Sequence, residues 1–185
     1  TRKESSAASD VYKRQAFIWD ESADEFALVT TNEDGTTAGA VSIVGYATLH
    51  ATSTAAQYSD LAERYEADSV MEPGDVVKIG GEKEITKTVS ANDTDVFGVI
   101  STDPAYKMNE GAGNNDTHPH VALTGRVPCK VIGAVTKGER LVSSDTSGVA
   151  IVANGDYNMQ SVIGRALETS TDDGVKTIEV VVGKN

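Results

Sequence analysis

Apolar and polar residues alternate along most of the chain, and turn-forming residues cut the alternation into short runs. Glu72-Pro73-Gly74-Asp75 is such a cut: Pro presets φ and Gly takes the left-handed position. After it, strands are expected at 76–79, 96–100, 121–123, 127–132, 140–142, 149–152, 162–167 and 178–182. Pro128 inside one of these runs predicts an edge or a bulge, because proline has no N–H to give a ladder. Upstream, 16–19 and 26–29 read as a hairpin around the turn 20–24. Asn32-Glu33-Asp34-Gly35 reads as a second turn, and 40–49 as a further β-prone run. Residues 51–56 are small and polar, as in a linker.

One stretch departs from period two. Leu61 and Tyr65 are four apart, and Asp60 and Glu63 have capping-box spacing. This predicts a short helix over 60–67, with both carboxylates explained as a cap. The expected fold is therefore mainly β. It has stalk-like or strand-exchanging segments at 16–56, or equally an edge hairpin packed on the later part. One short helix and a β-rich head, a barrel or sandwich, would occupy 57–185.

The head carries an internal duplication, about 70–125 and 134–183. Pro73-Gly74-Asp75-Val76-Val77 recurs as Lys137-Gly138-Glu139-Arg140-Leu141-Val142. Val96-Phe97-Gly98-Val99-Ile100 recurs as Val162-Ile163-Gly164-Arg165-Ala166. Each copy ends in an apolar strand before a glycine, which predicts two related β units packed on each other.

Composition narrows the partners. The formal net charge is −12. Such a chain is repelled by nucleic acid and by anionic membrane surfaces. No apolar run approaches the ~18 residues of a membrane-spanning helix, so no membrane insertion is expected. Cys129, the single cysteine, lies in an alternating apolar run and reads as a small buried hydrophobe.

Candidate chemistry is sparse. Asp116, His118 and His120 alternate in a Gly- and Asn-rich stretch at 106–120 and are the candidate metal ligands. No fourth ligand stands at a telling spacing, no phosphate loop precedes a helix, and no cofactor is expected. The densest reactive group is Ser59, Asp60 and Glu63. A Ser–Asp bond can break itself when the hydroxyl or the flanking carboxylate is held against the scissile carbonyl and a nearby acid moves the proton.

Several blocks resemble known proteins. They are Trp19-Asp20-Glu21-Ser22-Ala23-Asp24-Glu25-Phe26, His50-Ala51-Thr52-Ser53-Thr54-Ala55, Ser59-Asp60-Leu61-Ala62-Glu63-Arg64-Tyr65-Glu66-Ala67-Asp68, Glu72-Pro73-Gly74-Asp75-Val76-Val77, Leu123-Thr124-Gly125-Arg126-Val127-Pro128-Cys129-Lys130-Val131 and Ile178-Glu179-Val180-Val181-Val182-Gly183. Together they are similar to the C-terminal region of tail-fibre and appendage proteins of large, T4-like tailed bacteriophages. The resemblance implies a virion structural protein found outside cells. Its partners would be copies of itself, usually in a homotrimer, other virion proteins and a host surface receptor, with 106–120 as a contact loop. More distantly, Ser59 to Glu66 and Gly98-Val99-Ile100-Ser101 resemble the self-cleaving chaperone domain of phage pre-neck appendage proteins. That resemblance implies cleavage at Ser59–Asp60, with Asp60 and Glu63 as the acids. A subunit of a helical filament built by strand donation is a further reading of 16–50. Residues 1–15 resemble a translated sequencing adapter around Asp10 to Gln15 and are expected to be a non-native leader.

Overall fold

The computed structural model describes residues 14–20, 22–33, 41–48 and 59–183. Most of the expected leader (1–13), the linker at 51–56 and half of the turn at 32–35 lie outside the described residues. The chain divides into two compact units, residues 1–54 and 55–185.

The first unit holds three antiparallel strands in the order β1 (Arg14–Asp20), β2 (Glu25–Thr31), β3 (Ile43–Tyr46). Asp20 closes the β1–β2 turn: its Oδ1 accepts from the Ser22 amide (3.0 Å) and hydroxyl (2.6 Å). The register runs from Arg14 opposite Thr31 to Asp20 opposite Glu25, so Arg14 and Gln15 are part of the ladder. Alternation then sorts the side chains. Ala27, Val29 and Thr31 are buried on one face. Phe17, Trp19 and Phe26 stand on the other.

The second unit is almost wholly β. Its strands are β4 (Asp60–Arg64), β5 (Val76–Ile79), β6 (Ile85–Lys87), β7 (Val96–Ile100), β8 (Tyr106–Met108), β9 (His120–Ile132), β10 (Arg140–Ser143), β11 (Ala150–Val152), β12 (Val162–Ala166) and β13 (Val175–Val182), with one 3₁₀ turn at Met159–Ser161. Strand β9 is the spine. Its first half pairs with β4 and β7, and its second half with β13. From β13 the ladder passes to β12, β10 and β11, and β11 returns to β9 in parallel. These five strands form a closed barrel, so the expected mainly β head is a barrel with additional strands. A ring leaves no edge to protect. Val127, Cys129, Val131, Leu141, Ala150, Ile163, Ile178, Val180 and Val182 fill it. Met71, Val77, Ile85, Ile100 and Val121 form a second core under β5–β7.

The arginine and lysine before and after Pro128 explain its place. The amides of Arg126 and Lys130 turn away from β13, to the carbonyls of Ser59 (3.3 Å) and Gly74 (2.9 Å). Pro128 points its N the same way, where no strand needs a donor.

The expected helix over 60–67 is not formed: residues 60–64 are strand β4, between β8 and β9. Asp60, Ala62 and Arg64 are buried, and Leu61 and Glu63 half-buried, which is period two. An isolated helix of eight residues is marginal in water. Two flanking strands offer this backbone a full set of hydrogen bonds instead, so Asp60 and Glu63 are not a helix cap.

The two segments flagged as repeats make the same bonds. Gly74 N donates to Ile100 O (2.8 Å) and Ile100 N to Asp75 O (2.9 Å). Gly138 N donates to Ala166 O (2.8 Å) and Ala166 N to Glu139 O (3.0 Å). In each turn the acidic side chain accepts from the amide three residues back: Asp75 from Glu72 (2.9 Å) and Glu139 from Thr136 (2.6 Å). Val77 faces Gly98 and Leu141 faces Gly164, and a bulge follows each pair. Gly98 is needed for space, since a Cβ there would stand 2.7 Å from the Ala122 carbonyl oxygen.

Candidate functional site

Ser59 and Asp60 lie where β4 meets the middle of β9. Ser59 is exposed, and its carbonyl, the one a Ser59–Asp60 cleavage would attack, accepts from Arg126 N at 3.3 Å. Gly125 (φ 111°) passes so close that a side chain there would collide with that carbonyl. Asp60 is 5% exposed, and its buried Oδ2 has no hydrogen-bond partner. Burying a carboxylate oxygen without a partner is costly, so this atom is the most unusual feature of the junction.

The strand does not bring Glu63 to that bond. Asp60 and Glu63 are an odd number of residues apart and stand on opposite faces, about 10 Å apart along the strand. Glu63 instead accepts from the Tyr65 hydroxyl at 2.8 Å. Burial, and then that carboxylate, push the Tyr65 phenol up to about 12. Its ring meets Phe97 edge-on at 5.0 Å.

The candidate metal ligands do not converge. His120 is buried and its Nε2 lies 2.7 Å from Glu110 Oε2. His118 Nδ1 lies 3.1 Å from the Thr117 hydroxyl, and Asp116 is exposed. Among the described residues, no group of three or more His, Cys, Asp or Glu side chains is placed to hold a metal ion.

Arg64 was not singled out by its sequence, yet it organises the stretch 106–120. It is 8% exposed. Nη1 donates to Asn115 Oδ1 (3.0 Å) and to the His118 carbonyl (2.7 Å), and Nη2 to Glu110 Oε1 (3.1 Å). Burial alone would raise the Glu110 carboxyl, but Arg64 and His120 outweigh it and hold it below its ordinary value. The stretch expected to be least structured thus begins as strand β8, and its remainder is clasped to β4. A shallow, open depression of about 480 Å³ lies between, lined by Arg64, Glu110, Gly113, Asn114, Asn115 and Asp116. Cys129 is fully buried, and burial pushes its thiol up to about 12, which leaves no thiolate for chemistry.

In the first unit the candidate site is a surface. Phe17 is 70%, Phe26 66% and Trp19 46% exposed. Phe17 stacks on Phe26 at 5.3 Å, and Trp19 meets Phe26 edge-on at 5.0 Å. Each ring forgoes on the order of 1.5–3 kcal/mol by staying in water. Exposed clusters of this kind mark contact surfaces.

No family model and no curated protein matches the chain. Among solved structures it is similar to a C-terminal fragment of gene product 12 of bacteriophage phi29. The two share 17% identity over 66% of this chain and 99% of that one, with a TM-score of 0.48.

Proposed function

We propose that this chain is a structural protein of a phage virion, the C-terminal part of a tail fibre or appendage, and that it assembles with copies of itself through the β1–β3 sheet. The aromatic face of Phe17, Trp19 and Phe26 carries the reading. β1 and β3 form the two margins of that three-stranded sheet, and margins pair readily with other strands. The resemblance of several sequence blocks to fibre proteins supplies the context, and with it other virion proteins and a host receptor as further partners. Light scattering on the full chain tests assembly: a trimer is expected, and Phe17→Ser with Phe26→Ser should return it to monomer. A wild-type monomer sinks the reading. Filaments in negative-stain images would favour strand donation over a closed trimer.

The unpartnered Asp60 Oδ2 supports a second reading, self-cleavage at Ser59–Asp60. The carboxylate would act on its own peptide bond while Arg126 N–H holds the carbonyl. Intact mass measurement after long incubation decides it. A break abolished by Asp60→Asn and unaffected by Glu63→Gln is expected; an uncut chain ends it.

A further inference from the structure

Three of the six arginines of this acidic chain fall in one cross-strand row of the barrel. Arg140 of β10 stands opposite Arg165 of β12. Arg165 stands opposite Val181 of β13, and Val181 opposite Arg126 of β9. Residues directly opposite in a ladder share a face, so the three guanidinium groups project from the same side of the sheet. Neighbouring strands are about 4.8 Å apart, which places Arg140 and Arg165 side by side and Arg126 two strands further on.

Like charges set directly opposite repel, and the pair has no counterion among the described residues. The described residues form nine ion pairs; Arg126 makes a loose one to Glu179 at 4.0 Å, and Arg140 and Arg165 make none. Glu139, next to Arg140, is turned to the Thr136 amide. Arg165 Nη1 donates to the Gly138 carbonyl at 3.0 Å, and Arg140 Nη1 to the Tyr157 hydroxyl at 3.4 Å. Arg140 Nε is buried without a partner. The fold does not demand these charges. The same register position in the first repeat holds Val76 opposite Val99, both buried.

We propose that Arg140 and Arg165 form a two-pronged site for an oxyanion, a carboxylate, sulfate or phosphate group of a ligand from outside the chain. Guanidinium forks match the planar oxygens of such groups and bind them two bonds at a time. Tyr157, accepting from Arg140, keeps its own O–H to donate to the same anion. Arg126 extends the row toward a second anionic group of the same ligand.

The test is a titration of the ¹⁵N-labelled full chain with inorganic phosphate, read at the arginine Nε–Hε signals, with sodium chloride matched in ionic strength as the control. The Arg140 and Arg165 signals should move together and saturate with one dissociation constant, and chloride should not reproduce the effect. Arg140→Ala and Arg165→Ala should each weaken phosphate binding about tenfold, and Arg126→Ala about twofold. The unaffected signals report that each variant is folded. Parallel titrations with sulfate and with a short polygalacturonate distinguish the oxyanions, and either saturating at the same two signals supports the site. Shifts spread evenly over all arginines, or none, overturn it. So does a dilution-dependent shift in the absence of added anion, because the counterion would then be a carboxylate of a second copy.

Discussion

The two units proposed as repeats make the same backbone hydrogen bonds around Gly74 and Gly138 and have opposite electrostatics. In the first, the turn acid Asp75 is 2% exposed and lies 2.7 Å from Lys130 Nζ and 2.9 Å from Lys87 Nζ. In the second, Glu139 stands at the matching place and no lysine reaches it. Val77 faces Lys87 across the first hairpin, and Leu141 faces Val152 across the second. A cation in one unit is thus an apolar side chain in the other, packed against the barrel core. The backbone hydrogen bonds of the glycine turn specify the shape in both. The charges are free to differ, and they do: the first unit neutralises its carboxylate internally, and the second sets two arginines opposite each other with no ion-pair partner among the described residues.

The sharpest way to break this comparison is to remove the two acids. Asp75→Ala should cost about 2–4 kcal/mol in urea unfolding, since it removes the turn bond and strands the partly buried Lys87 ammonium, while Lys130 keeps Glu72 at 2.7 Å. Glu139→Ala should cost only about 0.5–1.5 kcal/mol, the worth of a turn hydrogen bond. Equal losses would mean that the ion pairs contribute nothing beyond the shared turn.

Next come the paired glycines, where the units should agree. A Cβ on Gly98 would meet the Ala122 carbonyl oxygen, and one on Gly164 the Val181 carbonyl oxygen. Gly98→Ala and Gly164→Ala should each destabilise by about 1–3 kcal/mol in thermal unfolding, because a backbone neighbour has nowhere to go. A neutral result at either position would show that its strands are more loosely paired than their counterparts.

The smallest effect is in the pH dependence. Burial would raise the Asp75 carboxyl, but Lys130, the Glu72 amide and Lys87 together hold it below its ordinary value of 3.8. A depressed carboxylate stabilises the fold above its unfolded pKa, and that contribution is lost as pH falls through the folded value. Wild type should therefore lose stability more steeply than Asp75→Asn as pH falls below about 4. Parallel curves would remove Asp75 as the cause.

Much of this was legible in the sequence, because short alternating runs and glycine turns are local signals. Gly74 and Gly138 carry the repeat in their neighbours, and Cys129 announces its burial by its place in an apolar run. The strand at 60–64 is not legible in the sequence, because Leu61 and Tyr65 satisfy a helical spacing over a length too short to decide between periods. What settles it is pairing with β8 and β9, contributed by residues some forty to sixty positions away. Arg64 and Glu110, like Arg140 and Arg165, meet only through the fold. The expected acids Asp60 and Glu63 share a segment yet face apart, for the same reason: the period of the backbone decides what neighbouring letters can do together.

Strand β9 also sets a timetable. Strands β5 and β7 precede it, whereas β10 to β13 follow it. On a ribosome the first unit can find its platform once residue 132 has emerged, but the ring keeps a gap until β13, ending at Val182, slides between β9 and β12. Long-range closures of this kind are slow. Until that last strand arrives, the nascent chain displays two raw margins, so synthesis and shielding are out of step by some fifty residues, and a chaperone would have its work in that interval.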